Sequence, residues 1–224
     1  MTLSNEQRLS LLESARSYAE QAQDSPLADY LARRRGITDP ALIKRLGLGY
    51  VGEPFPGHER FRGRMAIPYL RYGYSGPNVA TIRFACMVPS CKHTDHEKML
   101  SLPGHGNRLY NTRDLLAPVD EVCICEGEWD TMTALAYGLH AVGVPGVKAW
   151  KPYMAGAFAG YKKVRIIAQM DDDGQSVKWA NELASQIPAA VVQHCPHGLD
   201  LNDAHLAGRA NALLKGPKAV PAGV

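Results

Sequence analysis

The feature that most constrains the fold of this chain is a regular alternation of short apolar segments and helical segments after Pro118. The predicted strands are Glu121–Cys125, Ala141–Val144, Lys163–Met170 and Ala190–Cys195, and the predicted helices are Asp130–Tyr137, Pro152–Phe158, Gln175–Gln186 and Asn202–Leu214. Strands that alternate with helices favour a parallel sheet covered by helices on both faces. The sequence therefore predicts an α/β domain over residues 114–214.

Acidic residues follow the predicted strands of this domain, at the ends where ligands bind in open α/β sheets. Glu126 follows the first strand, Asp171, Asp172 and Asp173 follow the third, and Asp200 and Asp203 follow the fourth. A single aspartate after a strand is more often a helix cap or a turn residue. Three such sites on one sheet edge instead favour a site for Mg²⁺ or Mn²⁺, and a pair of these ions supports phosphoryl transfer.

The first half of the chain has a different texture and the opposite charge. Residues 1–113 contain 16 Lys and Arg against 10 Asp and Glu, whereas residues 114–224 contain 9 against 12. Helices are predicted within residues 4–45, with a capping box at Ser4 and Gln7 and a helix start at Asp39-Pro40, and strands are predicted within 50–85. We therefore predict an α+β chain in which a basic subdomain, residues 1–113, precedes the α/β domain, and residues 215–224 form a flexible tail. The charge asymmetry fits a polyanion beside cation-binding carboxylates, although it arises as readily by chance.

Composition excludes several classes of protein. Hydrophobic residues make up 46% of the 224 residues and charged residues 21%, which is typical of globular chains. No apolar run approaches the roughly 20 residues of a membrane helix, and the N-terminus does not resemble a signal peptide. Five cysteines do not suggest a disulfide framework. We therefore expect a soluble cytoplasmic protein that does not bind a membrane.

Motifs in both halves resemble those of a known family. In the α/β half, three motifs are similar to those of TOPRIM domains: Glu126-Gly127 with Asp130, Asp171-Asp172-Asp173-Gly174, and His197-Gly198-Leu199-Asp200-Leu201-Asn202-Asp203. The segments Tyr30–Ile37, Arg45–Tyr50, Phe61–Pro68, Lys98–Pro103 and Arg108–Asn111 resemble the RNA-polymerase core of DnaG-type primases. The resemblance covers residues 28–214 and is closest to small phage-encoded primases.

This resemblance implies a DNA-dependent RNA primase that makes short primers on single-stranded DNA by two-metal nucleotidyl transfer. It implies that Glu126, Asp171 and Asp173 are catalytic. The metal-binding set that it implies for Mg²⁺ or Mn²⁺ is Glu126, Asp130, Asp171, Asp173, Asp200 and Asp203. One ion would activate the attacking 3′-hydroxyl and the other would neutralise the departing pyrophosphate.

Basic residues of the first half are expected to bind the substrates. Lys98 and Arg108 are candidates for binding a ribonucleoside triphosphate, and Arg83 is a candidate for binding nucleic acid. Arg62 and Arg64 alternate around Gly63, which predicts that both lie on one face of a strand and contact phosphates. The expected partners are the single-stranded template, ribonucleoside triphosphates, and a replicative helicase or separate zinc-binding protein, in a bacterium or a phage-infected host.

Several features depart from the family pattern. Gln169 stands where the first aspartate of the TOPRIM Asp-x-Asp motif is expected, with Asp171 as the second, and His105-Gly106-Asn107 replaces a second lysine. No paired Cys motif precedes Cys86 and no Walker motif is present, so we expect neither an N-terminal zinc-binding domain nor a fused helicase. Two other functions stay open: a TOPRIM nuclease that hydrolyses phosphodiesters, and a non-catalytic nucleic-acid-binding module.

A separate group of potential metal ligands is Cys86-x4-Cys91-x-His93-x2-His96. Four such side chains fit a tetrahedral structural Zn²⁺ site, although the spacing is not that of a standard zinc finger. The alternative is a loop in which Cys86 ends a strand and the histidines are solvated. Cys123, Cys125 and Cys195 are expected to serve packing.

Overall fold

The computed structural model describes residues 3–73, 76–89 and 91–215, so residues 216–224 of the predicted tail lie outside the described residues. The chain divides into two compact units, Met1–Leu116 and Ala117–Val224. The predicted domain boundary, between residues 113 and 114, lies close to this division. Within the described ranges, no helix is both long and apolar enough to cross a membrane.

The first unit begins with three helices, α1 (Asn5–Gln21), α2 (Leu27–Arg35) and α3 (Pro40–Leu46). The predicted capping box is confirmed, because Gln7 N donates to Ser4 Oγ at 3.2 Å and Ser4 N donates to Gln7 Oε1 at 2.8 Å. The predicted start of α3 is also confirmed, since Asp39 Oδ1 accepts from Ala41 N at 2.8 Å.

Four strands of the first unit form an antiparallel sheet. In sheet order these are β1 (Gly49–Tyr50), β2 (Met65–Gly73), β3 (Gly76–Ala85) and β4 (Met99–Ser101). Helix α1 contributes Tyr18 to a buried core with Phe61 and Phe84, whose rings stack at 3.8 Å. The backbones approach so closely here that a Cβ on Gly49 would lie 2.5 Å from the carbonyl carbon of Tyr18. Position 49 therefore requires glycine.

The prediction that Arg62 and Arg64 lie on one face of a strand is wrong. Both residues precede β2, in a turn that follows a short 3-10 helix at Glu59–Phe61. Gly63 has a φ of 78°, which is a left-handed conformation and breaks the alternation of side chains along an extended segment. The two arginines therefore have separate environments.

The second unit contains a parallel sheet, as predicted. In sheet order the strands are β6 (Ala141–Val144), β5 (Glu121–Glu126), β7 (Lys163–Ala168) and β8 (Ala190–His194). The flanking helices are α4 (Gly127–Ala136), α5 (Gln175–Ala184), α6 (Leu201–Leu206) and α7 (Ala210–Lys215), with 3-10 segments at Val147–Ala149 and Pro152–Phe158. The single helix predicted over Asn202–Leu214 is wrong, because Gly208, at a φ of 70°, separates α6 from α7.

The central strands of this sheet are buried, which explains their apolar composition. Cys123, Cys125 and Cys195 are buried with them, as expected for packing residues. Burial raises the pKa of the Cys123 thiol to about 11 and that of Cys195 to about 12, so neither thiol is ionised near neutral pH.

Candidate active site

The carboxyl ends of two adjacent strands bring the first acidic residues to one edge of the second sheet. Glu126 is the last residue of β5, and Gly127, at a φ of 85°, turns the chain into α4. Strand β7 runs parallel to β5, with Cys125 opposite Ile167, so the segment from Gln169 to Asp173 emerges at the same edge. This is the position at which open α/β sheets bind ligands.

Ser176, in the first turn of α5, connects two of these carboxylates. Its hydroxyl donates to Glu126 Oε2 at 2.8 Å, and its backbone N–H lies 3.4 Å from Asp171 Oδ2. Asp171 Oδ1 is buried and has no hydrogen-bond partner within the described part of the chain. Because an unsatisfied buried acceptor is costly, this oxygen fits a bound cation.

A third carboxylate, that of Asp200, acts on Glu126. Burial raises the pKa of Glu126, the charges of Asp171 and Asp200 raise it further, and the Ser176 hydrogen bond acts in the opposite direction. Asp200 follows β8, so carboxylates from the ends of three strands act on one another. Like charges gathered in a partly buried site favour binding of a divalent cation.

Asp130 lies beneath this edge, on α4. It is only 5% exposed, and Asp130 Oδ1 accepts from Asn202 N at 2.9 Å. Burial raises the pKa of Asp130 well above its ordinary value, and the charge of Asp200 adds to this effect. Asn202 Nδ2 also donates to Thr133 Oγ1 at 3.0 Å, so this buried asparagine joins α6 to α4.

Two of the predicted metal ligands, Asp173 and Asp203, are exposed. Asp173 accepts from Gln175 N at 3.0 Å and from Gln175 Nε2 at 2.7 Å, at the start of α5. Asp203 follows Asp200 in α6, and its backbone N–H donates to Asp200 Oδ1 at 2.6 Å. Ser176 thus connects Glu126 with Asp171, and the charge of Asp200 acts on Glu126 and Asp130, whereas Asp173 and Asp203 lie exposed.

Sequence reasoning missed the contributions of Ser176 and Asn202. A serine two residues after Gly174, at the start of a helix that follows an acidic turn, was the available signal for Ser176. Asn202 stood inside the last acidic motif, but only its burial shows that it supports Asp130. Both residues hold carboxylates in place.

The basic candidates of the first unit have different surroundings. Arg62 forms a bidentate pair with Glu53, with distances of 3.0 Å and 3.3 Å. Arg64 Nη1 donates to the carbonyl of Glu97 at 3.1 Å, and Lys98 is exposed. Arg62 therefore has a carboxylate partner that reduces its attraction for a phosphate.

Two further basic candidates are half-buried. Arg83 lies in β3, opposite Ser101 of β4. Among the described residues, Arg108 Nε is a buried donor without a hydrogen-bond partner. That donor fits the binding of an anion by Arg108.

The Cys/His group, Cys86, Cys91, His93 and His96, is assembled within the first unit. One potential ligand atom from each of the four residues lies within 4.8 Å of the others. A group of three or more Cys, His, Asp or Glu side chains close enough to share one metal ion occurs, among the described residues, at this place alone. The group can therefore hold a metal ion.

Structure comparisons identify the fold. The RNA polymerase domain of Mycobacterium tuberculosis primase DnaG has a TM-score of 0.70 and 19% identity, covering 95% of this chain and 82% of that chain. A DnaG primase catalytic domain bound to ssDNA has a TM-score of 0.66 and 19% identity, over 93% of this chain and 77% of that one. The primase fragment of the bacteriophage T7 primase-helicase protein has a TM-score of 0.58 and 18% identity, over 81% and 71%. The expected resemblance to the DnaG-type core is confirmed at the level of the fold.

Sequence comparison identifies a phage relative. No protein-family model matches the chain. The Gene 57 protein of Mycobacterium phage D29 is 35% identical over 156 residues, which cover 69% of this chain and 98% of that protein. Because nearly the whole length of this relative is matched, the chain belongs to the family of the Gene 57 protein of Mycobacterium phage D29, and it has the fold of the DnaG primase catalytic core.

Proposed function

We propose that this protein is a primase that joins ribonucleotides into short RNA primers on a single-stranded DNA template. The observation that carries the proposal is the pairing of Glu126 with Asp171 through Ser176, in which Asp171 Oδ1 is buried and finds no partner among the described residues. This group lies at the ligand-binding edge of a fold found in DnaG catalytic cores.

Glu126, Asp171 and Asp200 are the proposed primary ligands for Mg²⁺ or Mn²⁺. Such ions, when bound, would activate the attacking 3′-hydroxyl and stabilise the departing pyrophosphate. The Ser176 hydroxyl holds Glu126 in place, and Asp130 positions the start of α6, which Asp200 caps. We assign Asp173 and Asp203 to the exposed rim of this site, where their charges attract cations.

The basic residues of the first unit are the proposed contacts for the substrates. Arg108 would bind the triphosphate through its buried Nε, which has no partner in the described ranges, together with the exposed ammonium of Lys98. Arg64 and Arg83 would contact the phosphates of the template strand.

The Mg²⁺ or Mn²⁺ ions of the acidic site are distinct from an ion in the Cys/His group, whose sulfur ligands favour zinc.

Further partners are proposed from the relatives. One structural neighbour is bound to ssDNA and another is a fragment of a primase-helicase protein. We propose that this protein likewise works with ssDNA and with a replicative helicase or a separate zinc-binding protein. The phage relative supports action inside an infected bacterium, where ribonucleoside triphosphates are present.

Primer synthesis from labelled ribonucleotides on single-stranded DNA tests the proposed function. We expect short labelled RNA products that depend on template and on a divalent ion. Degradation of labelled DNA without synthesis would indicate the nuclease, and template binding without either reaction would indicate the non-catalytic module. Either of these results contradicts the primase assignment.

The different surroundings of Arg64 and Arg62 predict different effects on DNA binding. We expect Arg64→Ala to weaken binding. The plot of log K against log salt should also become less steep by about 0.7, because one contact to a single-stranded phosphate is lost. Arg62→Ala serves as the matched control and should change the slope less, since Glu53 already compensates its charge. Fluorescence anisotropy across a salt series measures both. Equal slopes for Arg64→Ala and the wild type would remove Arg64 from the interface.

Gln169 predicts a preference for Mn²⁺ over Mg²⁺. A neutral amide attracts a divalent ion less than a carboxylate does, and Mn²⁺ accepts mixed ligands more readily. We expect Gln169→Asp to lower the Mg²⁺ concentration at half-maximal thermal stabilisation by several-fold, with a smaller change for Mn²⁺. The gain is limited because an added carboxylate repels Asp171.

Thermal-shift titrations of both ions measure this change independently of synthesis. Asn181→Asp, which adds a carboxylate at an exposed position of α5, is the control. Identical Mg²⁺ curves for the wild type and Gln169→Asp would exclude Gln169 from the metal site.

A further inference from the structure

The Cys/His group occupies the connection between β3 and β4 in the first unit. Cys86 directly follows β3, and its backbone N–H donates to the carbonyl of Lys98, just before β4, at 2.9 Å. The two ends of this connection, Cys86 and Lys98, thus lie side by side at the sheet. We propose that Cys86, Cys91, His93 and His96 bind one structural Zn²⁺ that fixes this connection.

Two distances within the group match those of a tetrahedral site. His96 Nε2 lies 3.3 Å from Cys86 Sγ and 3.5 Å from Cys91 Sγ. Tetrahedral angles with Zn–S bonds of about 2.3 Å and Zn–N bonds of about 2.0 Å place sulfur and nitrogen about 3.5 Å apart. One imidazole nitrogen therefore stands at ligand separation from both thiols.

The two histidines carry independent evidence for a ligand. His93 Nδ1 is buried and has no hydrogen-bond partner among the described residues. His93 also has a φ of 53°, a left-handed conformation that is uncommon for a side chain other than glycine. Binding of a metal at Nδ1 would satisfy the buried nitrogen and offset the backbone strain.

A neighbouring carboxylate orients the second histidine. Asp95 Oδ1 lies 3.1 Å from His96 Nδ1, which favours the tautomer that carries its proton on Nδ1. Nε2 then has a free lone pair, and it is this atom that faces the two sulfurs. Hydrogen bonding of a histidine ligand to a carboxylate is a common arrangement at zinc sites.

The chemistry of the group selects zinc. Two thiolates and two imidazoles are the ligands of structural zinc sites, whereas Mg²⁺ and Mn²⁺ prefer oxygen ligands. Four protein ligands close a tetrahedral site and leave no position for a substrate. The role of this ion is therefore structural.

The site has a consequence that rests on the proposed function. Arg64 Nη1 is held by the carbonyl of Glu97, and Lys98 adjoins it at the end of the same segment. A metal that fixes this connection therefore also fixes the Glu97 carbonyl, which holds Arg64, and the backbone of Lys98.

Metal analysis of the purified full chain, prepared without chelator, tests the site. We expect about one zinc per chain, which resists dialysis and is lost in Cys91→Ser. Cys195→Ser, at a buried cysteine of the second unit, is the matched control and should keep its zinc. If Cys91→Ser fails to fold, replacement of the metal in the wild type by Co²⁺ should give the absorption of a tetrahedral thiolate site. Wild-type protein that holds no zinc and shows no such Co²⁺ spectrum would overturn the proposal.

Template binding is measured separately, so the two proposals can fail independently. We expect Cys91→Ser to lower the Tm by several degrees and to weaken ssDNA binding several-fold. Zinc loss with unchanged ssDNA binding would keep the zinc site and overturn its link to Arg64 and Lys98. Zinc retention in wild-type protein that synthesises no primers would count against the proposed function alone.

Discussion

Glu126→Gln is expected to abolish primer synthesis while leaving the fold and the binding of single-stranded DNA intact. The substitution removes a negative charge and a base but little volume, and the remaining carbonyl oxygen can still accept from the Ser176 hydroxyl. The variant therefore lacks a negative charge that attracts divalent ions to this edge of the sheet. We expect a fall in rate of at least roughly 100-fold, which corresponds to about 2.7 kcal/mol of transition-state stabilisation.

Three measurements separate a catalytic defect from a folding defect in this variant. The Tm of the metal-free variant should equal that of the wild type or lie slightly above it. Burial and the charges of Asp171 and Asp200 raise the pKa of Glu126, so ionised Glu126 opposes folding. Anisotropy should report wild-type affinity for DNA. Glu182→Gln, the same change at an exposed position of α5, should retain full synthesis. Near wild-type synthesis by Glu126→Gln would show that the reaction does not use this carboxylate.

The architecture of the second unit could be predicted from sequence because its signals are local. Short apolar segments, each followed by a helical segment, specify the parallel sheet. The errors arose at single glycines. Gly208 ends a helix that the apolar pattern continues, and Gly63 breaks an alternation that its neighbours suggest. A positive φ at one glycine overrides a periodic pattern, and the sequence does not show which glycine adopts it.

The residue types of the candidate site were predictable, but their arrangement was not. Strand ends locate Glu126 and Asp171 at one edge, since parallel strands finish together. Which acidic residues lie together depends on hydrogen bonds at the start of α5: Asp173 is engaged by Gln175, whereas Ser176 connects Asp171 with Glu126. These hydrogen bonds come from the first turn of α5, whose orientation follows from tertiary packing.

The partners of the basic residues were likewise not predictable from the sequence. Charge patterning predicted that the first half would bind a polyanion, but it treated Arg62 and Arg64 as equivalent. Their difference depends on Glu53, which lies nine residues before Arg62 and contacts it only because the chain turns. Pairing across a turn of this kind has no signature in a single sequence.

Asp130→Asn is expected to stabilise the metal-free protein at neutral pH and to lower its activity at least tenfold. Asp130 is buried, and its raised pKa means that the folded protein binds this proton more tightly than the unfolded chain does. Its contribution to stability is therefore present at low pH and is lost as the pH rises from the ordinary aspartate pKa through the raised one. Asparagine carries no charge, yet its carbonyl oxygen can still accept from Asn202 N.

Chemical and thermal unfolding across pH measure this effect. The two proteins should have similar stability near pH 4, and the variant should become the more stable as the pH rises. The Tm of the variant should then exceed that of the wild type by several degrees, since each kcal/mol of unfolding free energy shifts the Tm by about 4 °C. Asp114→Asn, at a buried aspartate whose carboxylate lies 3.9 Å from Arg45, is the control and should not be stabilised. Activity should fall in Asp130→Asn because the variant loses a negative charge that acts on Asp200 and Glu126, so divalent ions are attracted less strongly to this edge. A variant that is less stable than the wild type at every pH would show that the hydrogen bonds of the ionised carboxylate outweigh its burial and its repulsion by Asp200. Asp130 would then act as an ionised structural anchor of α6.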